Sequence, residues 1–246
     1  MFLNYQDKGS GAPIMLLHGW GGSSKSLAGL ADFLVNGGYR VINVDLPGFG
    51  ESEMPERAYG MNDFVGLIHD LIVRLELRKP VVVGHSFGGQ IAMFLAMKYP
   101  SLISKIVLVN ASGIKPKETL RTRVSFVMAK VGNVISWVPP FIFFRRAIKW
   151  VFYRYIVGEL DYYQSGNMKA TFKRITHERI NLKLSEINCE ALVIWGKDDK
   201  ITPLWQGEKL AKGIKRSRLE VIENIGHGLP LKYPQIVAEL ILKFMD

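Results

Sequence analysis

Val81-Val82-Val83-Gly84-His85-Ser86-Phe87-Gly88-Gly89-Gln90 joins a short β-branched run to a Gly-x-Ser-x-Gly turn, and Ile91-Ala92-Met93-Phe94-Leu95-Ala96 follows at once. The order is strand, tight turn, helix. Such a turn holds its middle residue at strained backbone angles, and side chains at Gly84 and Gly88 would collide with the neighbouring strand and helix. It lifts the Ser86 hydroxyl clear of the sheet, at the N-terminal end of a helix. Gly-x-Ser-x-Gly by itself is common and also describes a glycine-rich loop with an incidental serine. The decision rests on whether a base, an acid and an oxyanion site stand elsewhere in the chain.

Outward from this stretch, strands and helices alternate. Pro13-Ile14-Met15-Leu16-Leu17 reads as a buried strand ending in His18-Gly19-Trp20-Gly21-Gly22. A helix over Leu27 to Val35 is capped by Ser23-Ser24 and stopped by Gly37-Gly38. Arg40 to Asp45 is the next strand and runs into Leu46-Pro47-Gly48-Phe49-Gly50-Glu51-Ser52. Asn62 or Asp63 can cap a helix that continues to Leu77. Ile106 to Asn110 is a strand; Ala191 to Trp195 and Leu219 to Ile222 are two more, with helices near Trp205–Lys212 and Pro234–Phe244. Near-continuous apolar strands alternating with helices predict an α/β fold, a mostly parallel sheet covered by helices on both faces. Ligands of such sheets bind beyond the carboxyl ends of the strands.

The alternation lapses between Ile114 and Ile187, where the pattern is amphipathic and helical. This segment carries fourteen Lys and Arg against five Asp and Glu, and twelve of the 27 aromatic residues. Most of the net charge of +10 therefore belongs to it. Two units are expected: a core of residues 1–113 and 188–246, and an inserted helical cap of residues 114–187. No stretch reaches the ~18 uncharged apolar residues of a membrane span. The segment Met1 to Lys8 lacks the pattern of a signal peptide, and the single cysteine, Cys189, can form no intrachain disulfide. A cytoplasmic location is expected.

A serine hydroxyl needs a base to take its proton. Of five histidines, His69 lies in a helical pattern, His177 in the insertion, and His18 ends a strand. His85 adjoins the nucleophile with its side chain directed away. His227, flanked by Gly226 and Gly228 after the last strand, is the best base. Trp195-Gly196-Lys197-Asp198-Asp199-Lys200-Ile201-Thr202-Pro203 offers the orienting carboxylate, with two adjacent aspartates to choose from. Serine, then aspartate, then histidine is the chain order of one known triad. Oxyanion donors are expected from the backbone N–H of Phe87 and of Trp20. His85 and Trp20 are candidate substrate contacts. No metal or cofactor is expected.

Together these motifs resemble the α/β-hydrolase superfamily, in its branch with a helical cap, over nearly the whole chain. The resemblance implies Gly-x-x-Asp-x-x-x-Pro after the acid strand, so Gly196 and Pro203 select Asp199 over Asp198. It places the oxyanion residue after His-Gly, which supports Trp20, and the cap between the sixth and seventh strands. Ser86 departs from the haloalkane dehalogenases and epoxide hydrolases of this fold, which carry Asp there. Phe87 departs from the proline iminopeptidases, which usually carry Trp. Gly228 stands where meta-cleavage C–C hydrolases typically have Trp. Hydrolysis of a carboxylic ester through an acyl-enzyme is the implied activity, on a small molecule with an apolar acyl or aromatic group. C–C bond hydrolysis is the alternative. A ligand-binding or signalling protein on the same scaffold, and a lyase or acyltransferase using the same serine, are the rivals from other classes.

Phe141 to Tyr155 is apolar, aromatic and basic together. It reads as a cap helix with its aromatics packed and its cations in water. It also reads as a surface that rests on anionic lipid, a peripheral membrane contact, or that admits an acyl chain. No nucleic-acid motif accompanies the charge, so no nucleic-acid partner is expected.

Overall fold

The computed structural model describes residues 1–114, 166–177 and 183–245. The chain divides into two compact units, one of residues 1–114 with 174–246 and one of residues 115–173. The expected cap boundaries within 114–187 and the stretch Phe141 to Tyr155 fall largely or wholly outside the described residues. One helix of that segment, α4 (Lys169–His177), is described.

Seven strands form one sheet: β1 (Tyr5–Lys8), β2 (Pro13–Leu17), β3 (Arg40–Val44), β4 (Val81–His85), β5 (Lys105–Val109), β6 (Glu190–Gly196) and β7 (Ser217–Ile222). The spatial order is β1-β3-β2-β4-β5-β6-β7. Only β1 runs antiparallel, pairing Tyr5 with Val44; every other pairing is parallel. The central strands are buried on both sides, which explains why they read as unbroken apolar runs rather than alternating ones.

Helices cover both faces. Ile14, Leu16, Val81, Val83, Val107, Val109, Leu192 and Ile194 pack with α1 (Ala28–Asn36), α6 (Leu229–Lys232) and α7 (Pro234–Met245). The other face meets α2 (Met61–Arg74), α3 (Phe87–Lys98) and α5 (Trp205–Gly213). There Phe64 of α2 stands edge-on to Phe87 with centroids 5.1 Å apart. Gly207 of α5 lies so close to the buried Trp195 ring that a Cβ would come within 2.7 Å of it.

Three expectations need correction. The insertion was placed between the sixth and seventh strands, yet five of the described strands precede it and two follow. The residues ahead of Pro13 hold a single strand, β1, which shifts the count. Asp63 does not occupy the cap of α2: the cap is Gly60, and Asp63 sits three places after it, accepting the Gly60 N–H at 2.7 Å. The helix then stops at Arg74 rather than Leu77. β1 and the four-residue α6 lacked a sequence pattern; β1 is half-exposed and takes its place by pairing with β3.

Candidate active site

The elbow is built as its glycines require. Ser86 sits between β4 and α3 at φ 50 and ψ −113. A non-glycine residue held there is strained and must be fixed by its surroundings. The Ser86 N–H donates to Val109 O at 3.1 Å, and its carbonyl accepts from Ser112 N at 3.0 Å. A Cβ on Gly84 would lie 2.3 Å from Gly88 O, and one on Gly88 would lie 2.1 Å from Leu17 O. The strand, the helix and β2 can approach this closely only without those side chains. Phe87 opens α3, where backbone N–H groups have no partner within the helix.

β6 and β7 bring the other two groups together. His227 Nδ1 lies 2.7 Å from Asp199 Oδ2; the aspartate side chain is fully buried and that of the histidine is 19% exposed. Asp198 is exposed, and its N–H donates to Ile225 O at 3.0 Å. Gly196 permits the close passage of the His227 loop, since a Cβ there would meet Ile225 O at 2.4 Å. Among the described residues Ser86 Oγ makes no hydrogen bond, so the link between His227 and Asp199 is formed and a link between Ser86 and His227 is not. Such links are often loose in unliganded enzymes.

The Asp199 carboxylate is heavily coordinated. Oδ1 accepts the N–H of Ile201 at 2.8 Å and of Thr202 at 2.9 Å. Oδ2 accepts Thr202 Oγ1 at 2.7 Å and the Asn110 side-chain amide. Burial alone raises its pKa, but the hydrogen bond and charge of His227, with Asn110 and Thr202, outweigh that and hold it below the ordinary value. Asn110 has φ 47 at the end of β5, and its Oδ1 accepts Gly196 N at 3.3 Å. Sequence reasoning passed over Asn110 and Thr202. A polar residue closing the run Ile106-Val107-Leu108-Val109 was the available signal.

The loop after β2 completes the site. His18 is fully buried and neutral in its bonding: Nε2 accepts Leu46 N at 2.9 Å, so Nδ1 carries the proton and donates to Gly19 O at 2.7 Å. Burial is the main reason its pKa is lowered. Gly19 O also accepts Gly22 N at 3.1 Å, closing a turn around Trp20. The Trp20 ring stands edge-on to Phe87 at 5.2 Å and to Phe49 at 4.9 Å. Behind the loop, Asp45 accepts from Ser24 N at 2.5 Å, Glu51 N at 2.9 Å and Asn4 Nδ2 at 2.8 Å.

His85 takes a place that the sequence did not indicate. It is 8% exposed, and its Nε2 lies 2.9 Å from the main-chain oxygen of His227. Desolvation, then the neighbouring His227, push its pKa down to about 3.

The sequence model of the α/β hydrolase fold family matches residues 12–135. The chain belongs to the α/β hydrolases. A second family, BAAT / acyl-CoA thioester hydrolase C terminal, matches residues 75–234 of this α/β hydrolase. The uncharacterized hydrolase YugF of Bacillus subtilis (strain 168) is 28% identical over 98% of this chain and 92% of its own. A 2-hydroxy-6-oxononadienedioate/2-hydroxy-6-oxononatrienedioate hydrolase of Pseudomonas putida is 27% identical over 99% of this chain and 91% of its own. The solved esterase of Exiguobacterium antarcticum matches this α/β hydrolase with a TM-score of 0.74 and 25% identity, over 98% of this chain and 94% of that one. Among the described residues of the α/β hydrolase no helix is long and apolar enough to cross a membrane, and no cluster of three His, Cys, Asp or Glu side chains could hold a metal ion.

Proposed function

We propose that this hydrolase cleaves carboxylic esters through an acyl-enzyme on Ser86. The observation that carries the reading is the pairing of His227 Nδ1 with the buried Asp199 carboxylate at 2.7 Å. A carboxylate accepts only, so Nδ1 carries the proton and Nε2 is left as the basic nitrogen. In the proposed cycle, Nε2 takes the Ser86 proton as Oγ attacks the ester carbonyl. The N–H groups of Phe87 and Trp20 hold the oxyanion. The leaving alcohol departs with the proton from His227, and water, activated by the same nitrogen, releases the acid. Asp199 stays ionised and stabilises the imidazolium that forms. The Trp20 ring, between Phe87 and Phe49, presents apolar surface next to the elbow, which suits an apolar acyl or aromatic substrate.

The test is hydrolysis of p-nitrophenyl esters of increasing acyl length by wild type and Ser86→Ala. Loss of about 10⁴–10⁶-fold in the variant supports the reading. Wild-type turnover that survives in Ser86→Ala overturns it.

A second reading is hydrolysis of a C–C bond, favoured by the likeness to the Pseudomonas putida 2-hydroxy-6-oxononadienedioate/2-hydroxy-6-oxononatrienedioate hydrolase. Wild type that ignores every ester but bleaches a 2-hydroxy-6-oxo-dienoate would select it. The same serine, base and acid would serve both reactions.

A further inference from the structure

We propose that His85 is a positioning residue for the general base: its Nε2–H, donated to the main-chain carbonyl of His227 at 2.9 Å, fixes the loop that carries the catalytic imidazole. The inference rests on the assignment of Ser86 and His227 above.

The physical case has three parts. A carbonyl oxygen can only accept, so the proton of His85 resides on Nε2 and the bond has one sense. An imidazole is aimed by its backbone and two side-chain torsions. Asp199 fixes His227 from the ring side at Nδ1, and His85 fixes it from the backbone side at O. With both points held, the direction of His227 Nε2 is set. Lastly, His85 adjoins Ser86 in the chain, so the same rigid elbow that presents the nucleophile also grips the base. Nucleophile and base are thereby indexed to one another across 142 residues of sequence between His85 and His227.

The seat of His85 is shaped for this contact. Its ring stacks at a tilt on the His227 ring with centroids 4.9 Å apart. On its other side lies Gly19, where a Cβ would come within 3.1 Å of His85 Nδ1 and 3.2 Å of Ser86 Cβ. Three loops of the site, after β2, β4 and β7, therefore meet at this imidazole. With 8% of its surface exposed, it has little to offer a substrate.

Three variants separate the possibilities. His85→Gln sets an amide N–H near the position of Nε2. His85→Asn is too short to do so, and His85→Leu keeps bulk without a donor. For each, kcat and KM are measured on an ester that wild type cleaves, with the rate of Ser86 labelling by a fluorophosphonate and the low-field proton resonance of His227 Nδ1–H. His85→Leu is expected to lose about 10–100-fold in kcat with KM within twofold, because misplacement by a fraction of an ångström to one ångström costs that much. Labelling slows in step and the low-field resonance moves or broadens. His85→Gln recovers most of the loss over His85→Leu. If the leucine variant fails to fold, the contrast between Gln and Asn carries the test. Asn and Leu variants that match wild type in all three readouts overturn the proposal. A rise in KM at unchanged kcat also overturns it and makes His85 a substrate contact. Ser86→Ala and His227→Ala are run beside them: activity retained in those two sinks the serine–histidine assignment instead, while the resonance still reports whether His85 holds the loop.

Discussion

Asn110 and His227 reach the same oxygen atom of Asp199: the amide of one and Nδ1 of the other both direct a proton at Oδ2. Asn110 therefore aims the carboxylate that orients the His227 imidazole. It also spans β5 and β6, since its Oδ1 accepts the Gly196 N–H at 3.3 Å while its N–H donates to Ile194 O at 3.0 Å. Replacing Asn110 by Ala removes one of the three donors to Oδ2 of a buried, charged carboxylate. Hydrogen bonds to charged groups are worth about 1.5–3 kcal/mol, so urea unfolding should show a loss of that order, with turnover falling further than stability alone accounts for. An unchanged midpoint and turnover would contradict this role.

The two adjacent aspartates should part company on mutation. Asp199→Asn leaves the shape but allows the wrong tautomer of His227, and kcat should fall by about 10⁴-fold, as it does when a triad aspartate is amidated. Asp198 is exposed, and its backbone N–H, not its carboxylate, holds the loop through Ile225 O. Asp198→Asn should stay within about threefold of wild type. Steady-state kinetics on one substrate decide it, and equal rates for the two variants would remove Asp199 from its post.

Acid should weaken the fold earlier than carboxylates alone would dictate. His18 and His85 are buried with pKa values lowered from 6.5, the latter to about 3, chiefly by desolvation. Below pH 6.5 the unfolded chain takes up these protons and the native chain does not. For His85 stability then falls by about 1.4 kcal/mol for each pH unit of decrease, and His18 adds a loss in the same direction. For His85 the loss continues down to about pH 3, its native value. The lowered Asp199 adds a separate, later loss: its contribution is complete above its ordinary 3.8 and disappears as pH drops through its native value. Urea titrations between pH 8 and pH 4 should show a steep decline in wild type and a shallower one in His85→Gln. Parallel curves would contradict the sign or the burial.

Glycine positions should split in sign. Gly88→Ala forces a methyl within 2.1 Å of Leu17 O, a backbone atom that cannot turn aside. A loss above about 3 kcal/mol is expected, at the severe end of overpacking. Gly66, inside α2, has nothing within 4 Å of an added Cβ. Gly66→Ala should raise stability by about 0.5–1 kcal/mol, the usual helix-interior difference. Thermal melts of both variants test the contrast.

The parallel core was legible because its signals are local. A run such as Val81-Val82-Val83 declares a strand buried on both faces, and Gly84 and Gly88 declare a turn that leaves no room for side chains. The order of Ser86, Asp199 and His227 was legible for the same reason, since each follows a strand. What escaped depends on partners far along the chain. β1 has no apolar pattern and exists through its pairing with β3. Asn110 and Thr202 matter through Asp199, and nothing in their immediate neighbours says so. His85 was read as turned away from Ser86 and as a substrate contact; its partner, the main-chain carbonyl of His227, lies in a loop after the last strand and could not be read from its neighbours. Asp63 shows a smaller failure: the residue type was right for a helix start, and only the bonding to Gly60 N fixes its position as internal to the helix.

β5 and β6 are immediate neighbours in register, Val109 beside Ile194, although the whole of residues 115–173 intervenes between them. The chain leaves the sheet and returns one strand over. Closing an excursion of this kind costs only about 0.6 kcal/mol more for each doubling of its length. Asn110, gripping both Ile194 and Gly196, seals the point of departure against whatever follows it. The excursion can therefore differ in length at little cost to the sheet, because the register of β5 against β6 is fixed by their own pairing and by Asn110.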